Sequence, residues 1–289
     1  MAVFLQQISA GLSVASILLL IALGLAIIYG TMGVINLAHG DFLMLGAYCT
    51  WYLEAHLGFG LLESIPTAFL MVAAAGWLIE RTVVQHLYHR PLDTILATWG
   101  IGMMLEEGMR LAAGAEPRYV KLPSSVDSSV HLLGMEFSLY RLVIIAITVA
   151  LLAITWYLFG KTEFGMKVRA VTQNRSVSEC YGINTKTVYS LTFAYGAGLA
   201  GVAGALVAPI KSVSPDMGTH FVVDAFLVVV VGGVGSLLGT VLSAGILGEL
   251  NAGIAFILND TLAKAIVFLA VIVVIRFRPQ GLFANRVRG

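Results

Sequence analysis

The chain has 289 residues, 58% of them apolar and only 11% charged, against roughly 25% charged in an ordinary soluble domain. With 17 Lys and Arg against 16 Asp and Glu, a net charge of +1 and a mean hydropathy of +0.91, it has too little polar surface to coat a soluble fold of this size. That excludes a soluble enzyme, a nucleic-acid-binding protein and a disordered chain, and leaves an all-α polytopic membrane protein.

A bilayer core about 30 Å thick asks for about 20 apolar residues per helical span. Residues 8–29 meet this easily. No Asp, Glu, Lys or Arg precedes Asp41, and without the basic segment of a secretory signal this first run reads as a retained span. Residues 42–58 and 65–79 follow as shorter spans, 94–113 carries Glu106 and Glu107, and 139–159 and 188–208 are clear. The run 221–258 is too long for one span and is interrupted by Gly232, Gly233 and Gly235; 261–277 closes the set. This predicts about eight to ten transmembrane or half-membrane helices in a single transmembrane domain, 1–289. No segment alternates like a barrel strand, and backbone groups in lipid must be satisfied internally, which leaves helices.

Basic loop residues gather on the cytoplasmic side. The loop 160–186 holds Lys161, Lys167, Arg169, Arg175 and Lys186, and the C-terminus holds Arg276, Arg278, Arg286 and Arg288. Residues 81–90 add Arg81, Arg90, His86 and His89. All three are placed inside. The loop 114–138 has Arg118 and Lys121 against Glu116, Asp127 and Glu136 and is placed outside, as is the N-terminus. With the 160–186 loop and the C-terminus both inside, the chain between them crosses an even number of times, so 221–258 holds two crossings with the glycines at the turn; a re-entrant pair of half-helices stays open. The small-residue runs 24–33 and 196–204 stand where an inverted repeat would place a pair, without enough similarity to establish one.

Four features carry polar chemistry. At 35–42, Ile-Asn-Leu-Ala-His-Gly-Asp-Phe interrupts two apolar stretches with Asn36, His39 and Asp41, while Gly40 is placed to break the helix. Such groups either face a cavity or form an interfacial loop with Asn36 and Asp41 as caps. The loop at about 161–187 contains Arg169 to Asn174 followed by Gly182, Ile183 and Asn184, a short helix closed by a C-cap glycine and a natural knob for a soluble partner. The run Gly232-Gly233-Val234-Gly235-Ser236 lacks the lysine of a phosphate loop and reads as a helix break. Thr98, Asp224, Glu249 and Asn251 are isolated polar groups within or beside spans, each a pathway residue or a helix-end group. His86 and His89 have no third ligand nearby, no catalytic set is assembled, and Cys49 and Cys180 read as free thiols, so neither a metal nor an enzyme is expected.

The strings INLAHGDFLMLGAY at 35–48, GMKVRAVTQN at 165–174 with GIN at 182–184, GGVGS at 232–236 and RPQGLF at 278–283 resemble the permease subunits of ATP-binding-cassette importers for branched-chain amino acids and urea. Within that family RPLDTILATWG at 90–100, VRAVTQNR at 168–175 and 214–236 are most similar to the urea branch. The resemblance implies a multi-pass bacterial-type inner-membrane protein with its N-terminus periplasmic and C-terminus cytoplasmic. It also implies a second homologous permease subunit, two cytoplasmic ATPases and a periplasmic solute-binding protein. ATP would be used by the partner and no cofactor held by this chain. Gly165, Arg169, Ala170, Asn174, Glu179, Gly182, Ile183 and Asn184 match the coupling segment, although Ser178-Glu179-Cys180 departs from the usual small residues there. Urea import by alternating access is the reading that follows, with Asn36, His39, Asp41, Thr98 and Asp224 along the path. Import of branched-chain or other amino acids by the same mechanism is the alternative, and a passive urea or amide channel a second; a branched aliphatic side chain would ask for an apolar pocket.

Overall fold

The structure, a computed structural model of the chain, describes residues 2–88, 90–122, 126, 128–132 and 135–283. His89, Asp127, Arg286 and Arg288 lie outside the described residues, as does the side chain of Glu136. Among them run α1 (Ala2–Met32), α2 (His39–Leu57), α3 (Leu61–Thr82), α4 (Pro91–Ala113), α5 (Leu139–Lys161), α6 (Glu163–Gln173), α7 (Arg175–Cys180), α8 (Thr185–Val207), α9 (Met217–Gly232), α10 (Leu237–Ile257) and α11 (Asp260–Phe277). Helices α6 and α7 lie in the basic loop; the other nine form the bundle, within the range expected from hydropathy. Stretches of α1, α3, α5, α8 and α10 are long and apolar enough to cross a bilayer. A small antiparallel hairpin, β1 (Ser129–Leu132) and β2 (Met135–Ser138), occupies the loop before α5 and was not foreseen.

Helices α1 and α8 are the central pair. Leu20, Ile21, Leu23, Leu25 and Ile28 are fully buried on α1, and α8 is buried along almost its whole length from Tyr189 to Val207. A helix apolar all round belongs inside a bundle. The pair cross at Gly24 and Gly196, where a Cβ on either would strike the other's carbonyl oxygen. In lipid there is no hydrophobic drive between helices, so such close backbone approach by small residues is what holds them.

The same reciprocity recurs at the starts of α2 and α9: a Cβ on Gly40 would collide with the Gly218 carbonyl, and one on Gly218 would sit 2.7 Å from the Gly40 carbonyl. Around these two self-matching contacts α3 packs on α8 as α10 packs on α1. The small-residue runs at 24–33 and 196–204 thus meet, at Gly24 and Gly196.

The break before α2 is not at Gly40, which is the second residue of that helix. The chain leaves α1 at Gly33 (φ +67°) and returns into the bundle through 34–38, so Gly40 supplies close approach instead of a bend. The run 221–258 divides at Gly233 (φ +91°) and Gly235 (φ +77°), conformations that disfavour an L side chain, and Ser236 caps α10 by accepting from the Gly239 N–H at 3.0 Å. Gly232 ends α9 in tight contact with Gly239.

Candidate functional site

Because α2 and α9 start against each other and run to opposite ends of the bundle, their positive N-terminal ends converge in its middle. Four of the five expected path residues gather there. Asn36 is fully buried and its Oδ1 accepts from the Ala38 N–H at 3.1 Å, shaping the return of the chain. Thr98 of α4 accepts from the Leu37 N–H at 3.2 Å and donates to the Thr94 carbonyl at 2.9 Å, pinning the same turn from the side. His39, also fully buried, lies 3.0 Å through Nε2 from the Ile21 carbonyl of α1. A carbonyl only accepts, so the ring proton is on Nε2. That leaves His39 Nδ1 and Asn36 Nδ2 buried with no hydrogen-bond partner among the described residues.

Asp41, in the first turn of α2, is 7% exposed. Its carboxylate is wedged between Gly102 of α4 and Gly218 of α9; a Cβ at Gly218 would stand 2.8 Å from Oδ1. These two glycines were not singled out from the sequence. For Gly102 the signal was there in small residues at helical spacing: Thr94, Thr98 and Gly102 form the buried stripe of α4.

Asp224 does not join this group. It lies further along α9, where Lys264 of α11 donates to its Oδ2 at 2.9 Å. The physical reason is charge compensation: an acidic side chain within a span finds a basic partner on the neighbouring helix.

Beyond Asp41, one and two turns along α2, Leu45 and Tyr48 open onto a cavity of about 490 Å³ between α2, α3 and α4. Its walls include Met71, Val72, Ala75, Met109 and Ala112 and are almost wholly apolar.

At the end of the bundle where α1, α3 and α5 finish and α8 begins, the basic loop forms two helices instead of the single one expected. Thr162 caps α6 by accepting from the Gly165 N–H at 3.3 Å, and Gly165 presses on the Phe159 backbone at the end of α5. The Arg169 guanidinium donates to the Phe159 carbonyl. Asn174 takes extended angles (φ −156°), its N–H closing on the Ala170 carbonyl at 3.1 Å while its Oδ1 accepts from the Val177 N–H at 3.0 Å. One residue thus ends α6 and caps α7.

Gly182 (φ +80°) ends α7: its N–H reaches the Glu179 carbonyl at 3.0 Å and the next N–H, of Ile183, reaches that of Ser178 at 3.1 Å, a Schellman closure that favours glycine. Asn184 then caps α8. Glu179 accepts from Thr185 at 2.6 Å and from Arg175 at 3.1 Å, and these bonds hold its carboxyl below the usual range. The surface of this segment exposes Met166, Val177 and Tyr181, the last at 84%, none of which was singled out from the sequence.

Two helix starts meeting beside buried polar groups and a capped two-helix knob at one end fit a transport permease, and no catalytic constellation is assembled among the described residues. The comparisons agree. Residues 7–276 match the family described as branched-chain amino acid transport system / permease component, and the chain belongs to it. It is 30% identical to the high-affinity branched-chain amino acid transport system permease protein LivH of Escherichia coli (strain K12), over 98% of this chain and 96% of that one. It is 28% identical to the corresponding permease protein BraD of Pseudomonas aeruginosa, with the same coverage of each. It is also 28% identical to the permease protein LivM of Escherichia coli (strain K12), over 92% of this chain and 67% of that one. No solved structure matches. These relatives are permease subunits and not enzymes.

Proposed function

We propose that this chain is the membrane subunit of an ATP-driven importer for branched-chain amino acids. The observation that carries the reading is the junction of α2 and α9 beside an apolar cavity. The helix N-termini suit a carboxylate, Asp41 suits an ammonium group, and the walls at Leu45, Met71 and Val72 suit a branched aliphatic side chain. Urea has no apolar part to use such walls, and the relatives named above transport branched-chain amino acids, so the amino acid takes precedence. The strings at 90–100 and 214–236 favour urea as the second reading.

The knob formed by α6 and α7 faces the cytoplasm and receives one of two ATPase subunits, with Met166, Val177 and Tyr181 as its apolar contacts. The N-terminus is then periplasmic and the C-terminus cytoplasmic, in an inner membrane. A second permease subunit and a periplasmic binding protein complete the assembly; ATP is bound by the partner. Uptake of labelled leucine and urea in a strain lacking this gene tests the substrate. Loss of leucine uptake with urea uptake intact is expected, and the reverse overturns the assignment in favour of urea.

A further inference from the structure

Glu80, near the end of α3, is fully buried and has no ion-pair partner among the described residues. Both of its oxygens are nevertheless engaged: Tyr88 OH donates to Oε1, and Ser190 OH, from α8, donates to Oε2. The carboxylate therefore ties the end of α3 to the start of α8, a tie that neither hydroxyl makes alone. Burial and this bond push the Tyr88 phenol above its ordinary range, as expected for a hydroxyl committed to donating.

On the outer side of the tie, Tyr88 and Tyr189 pack ring against ring at 4.9 Å and 66°. The Arg175 guanidinium, from the first residue of α7, lies 5.5 Å from the centroid of each ring. A planar cation over two aromatic faces is a directional seat that a lysine would reproduce only in part. Arg175 also donates to Glu179, which accepts from Thr185 at the start of α8. Thus α7 is fastened to α8 and, through the tyrosines, to α3. Helix α6 donates from Arg169 to the Phe159 carbonyl at the end of α5 and shares a buried apolar cluster with α8, Val168 and Val171 beside Val188 and Tyr189. Helix α8 carries Gly196, Gly201 and Gly204, which lie against α1, α3 and α2. Movement given to α8 therefore reaches the α2 junction directly.

We propose that Arg175, Tyr88 and Glu80 are positioning residues of the coupling step: α7 passes the ATPase movement to the α3–α8 pair through the tyrosine seat and the buried carboxylate. This rests on the importer reading above.

The test uses the complete complex in lipid vesicles and reads ATP hydrolysed per amino acid imported. Tyr88→Phe keeps the ring under Arg175 and removes only the hydroxyl; Arg175→Ala removes the seat; Glu80→Gln weakens the tie. In each, the ATPase is expected to co-purify at the wild-type ratio while ATP used per solute rises about tenfold, the size of one lost hydrogen bond to a charged group. Arg175→Lys is expected to recover part of the coupling. If uptake and hydrolysis fall together at an unchanged ratio in Tyr88→Phe and Arg175→Ala, these residues only stabilise the fold and the proposal is overturned. Should Glu80→Gln fail to assemble, the other two variants decide. A wild-type complex that imports without ATP contradicts the importer reading instead.

Discussion

The helix starts of α2 and α9 make a sharp quantitative prediction at Gly40. An alanine there has nowhere to place its methyl: it would overlap the Gly218 carbonyl and stand 2.9 Å from the Val222 Cβ. Neither obstacle is the free end of a flexible side chain, so the helices must part. Overpacking a close contact costs about 1–3 kcal/mol. Replacing glycine by alanine inside a helix returns about 0.5–1 kcal/mol, and less at a first-turn position. The net expectation is a loss of about 1–2 kcal/mol. Gly245, in α10, supplies the control, since a Cβ there meets nothing within 4 Å. Gly245→Ala should be neutral or stabilise by up to about 1 kcal/mol. Because an added methyl at Gly40 or at Gly218 forces apart the same pair of helix starts, the double alanine variant should lose less than the sum of the singles, with a coupling of at least about 0.5 kcal/mol. Reversible unfolding of the purified chain in mixed micelles by a denaturing detergent measures all four. If Gly40→Ala matches Gly245→Ala, the two helix starts do not touch and the packing described at the α2–α9 junction is wrong.

Gly182→Pro removes the N–H that closes α7 and cannot adopt φ +80°; this variant, and separately a charge reversal at Arg169, should each uncouple ATP hydrolysis from uptake while membrane insertion continues, checked by paired uptake and hydrolysis assays. Asn174→Ala removes the α7 cap at a cost of about 1 kcal/mol, seen as faster hydrogen exchange over 175–181 with α8 unchanged. Asp224→Asn leaves the Lys264 ammonium unpaired, and because both groups are partly exposed the loss should be only about 1 kcal/mol. The swap Asp224→Lys with Lys264→Asp should recover most of it, and a swap less stable than either single charge loss would show that the pair is not held as described.

Most of the spans were legible because each is an apolar run bounded by a cap or a glycine. The glycines at 233 and 235 divide the long run where the chain turns, as the sequence led one to expect. What was not legible depends on partners far along the chain. Gly40 reads as a helix breaker until Gly218, 178 residues away, is seen against it. Asp224 reads as a pathway residue until Lys264 is found beside it. Asn174 ends one helix and starts another by a side-chain bond that competes with the helix ladder, which propensity alone does not resolve. Glu80 was passed over because it adjoins Arg81 and looks like loop charge; the signal that would have found it is an acidic group still within the apolar period of α3.

Solute should cross this bundle only when it is driven from its knob. Vesicles containing the chain with its partner permease and ATPases, loaded with ATP at the knob side and given labelled leucine with the binding protein on the other, measure this. Accumulation that requires ATP and disappears when the ATPase is omitted is the predicted result. Leucine entry through the permease subunits alone, at the same rate with or without the ATPase, would contradict it.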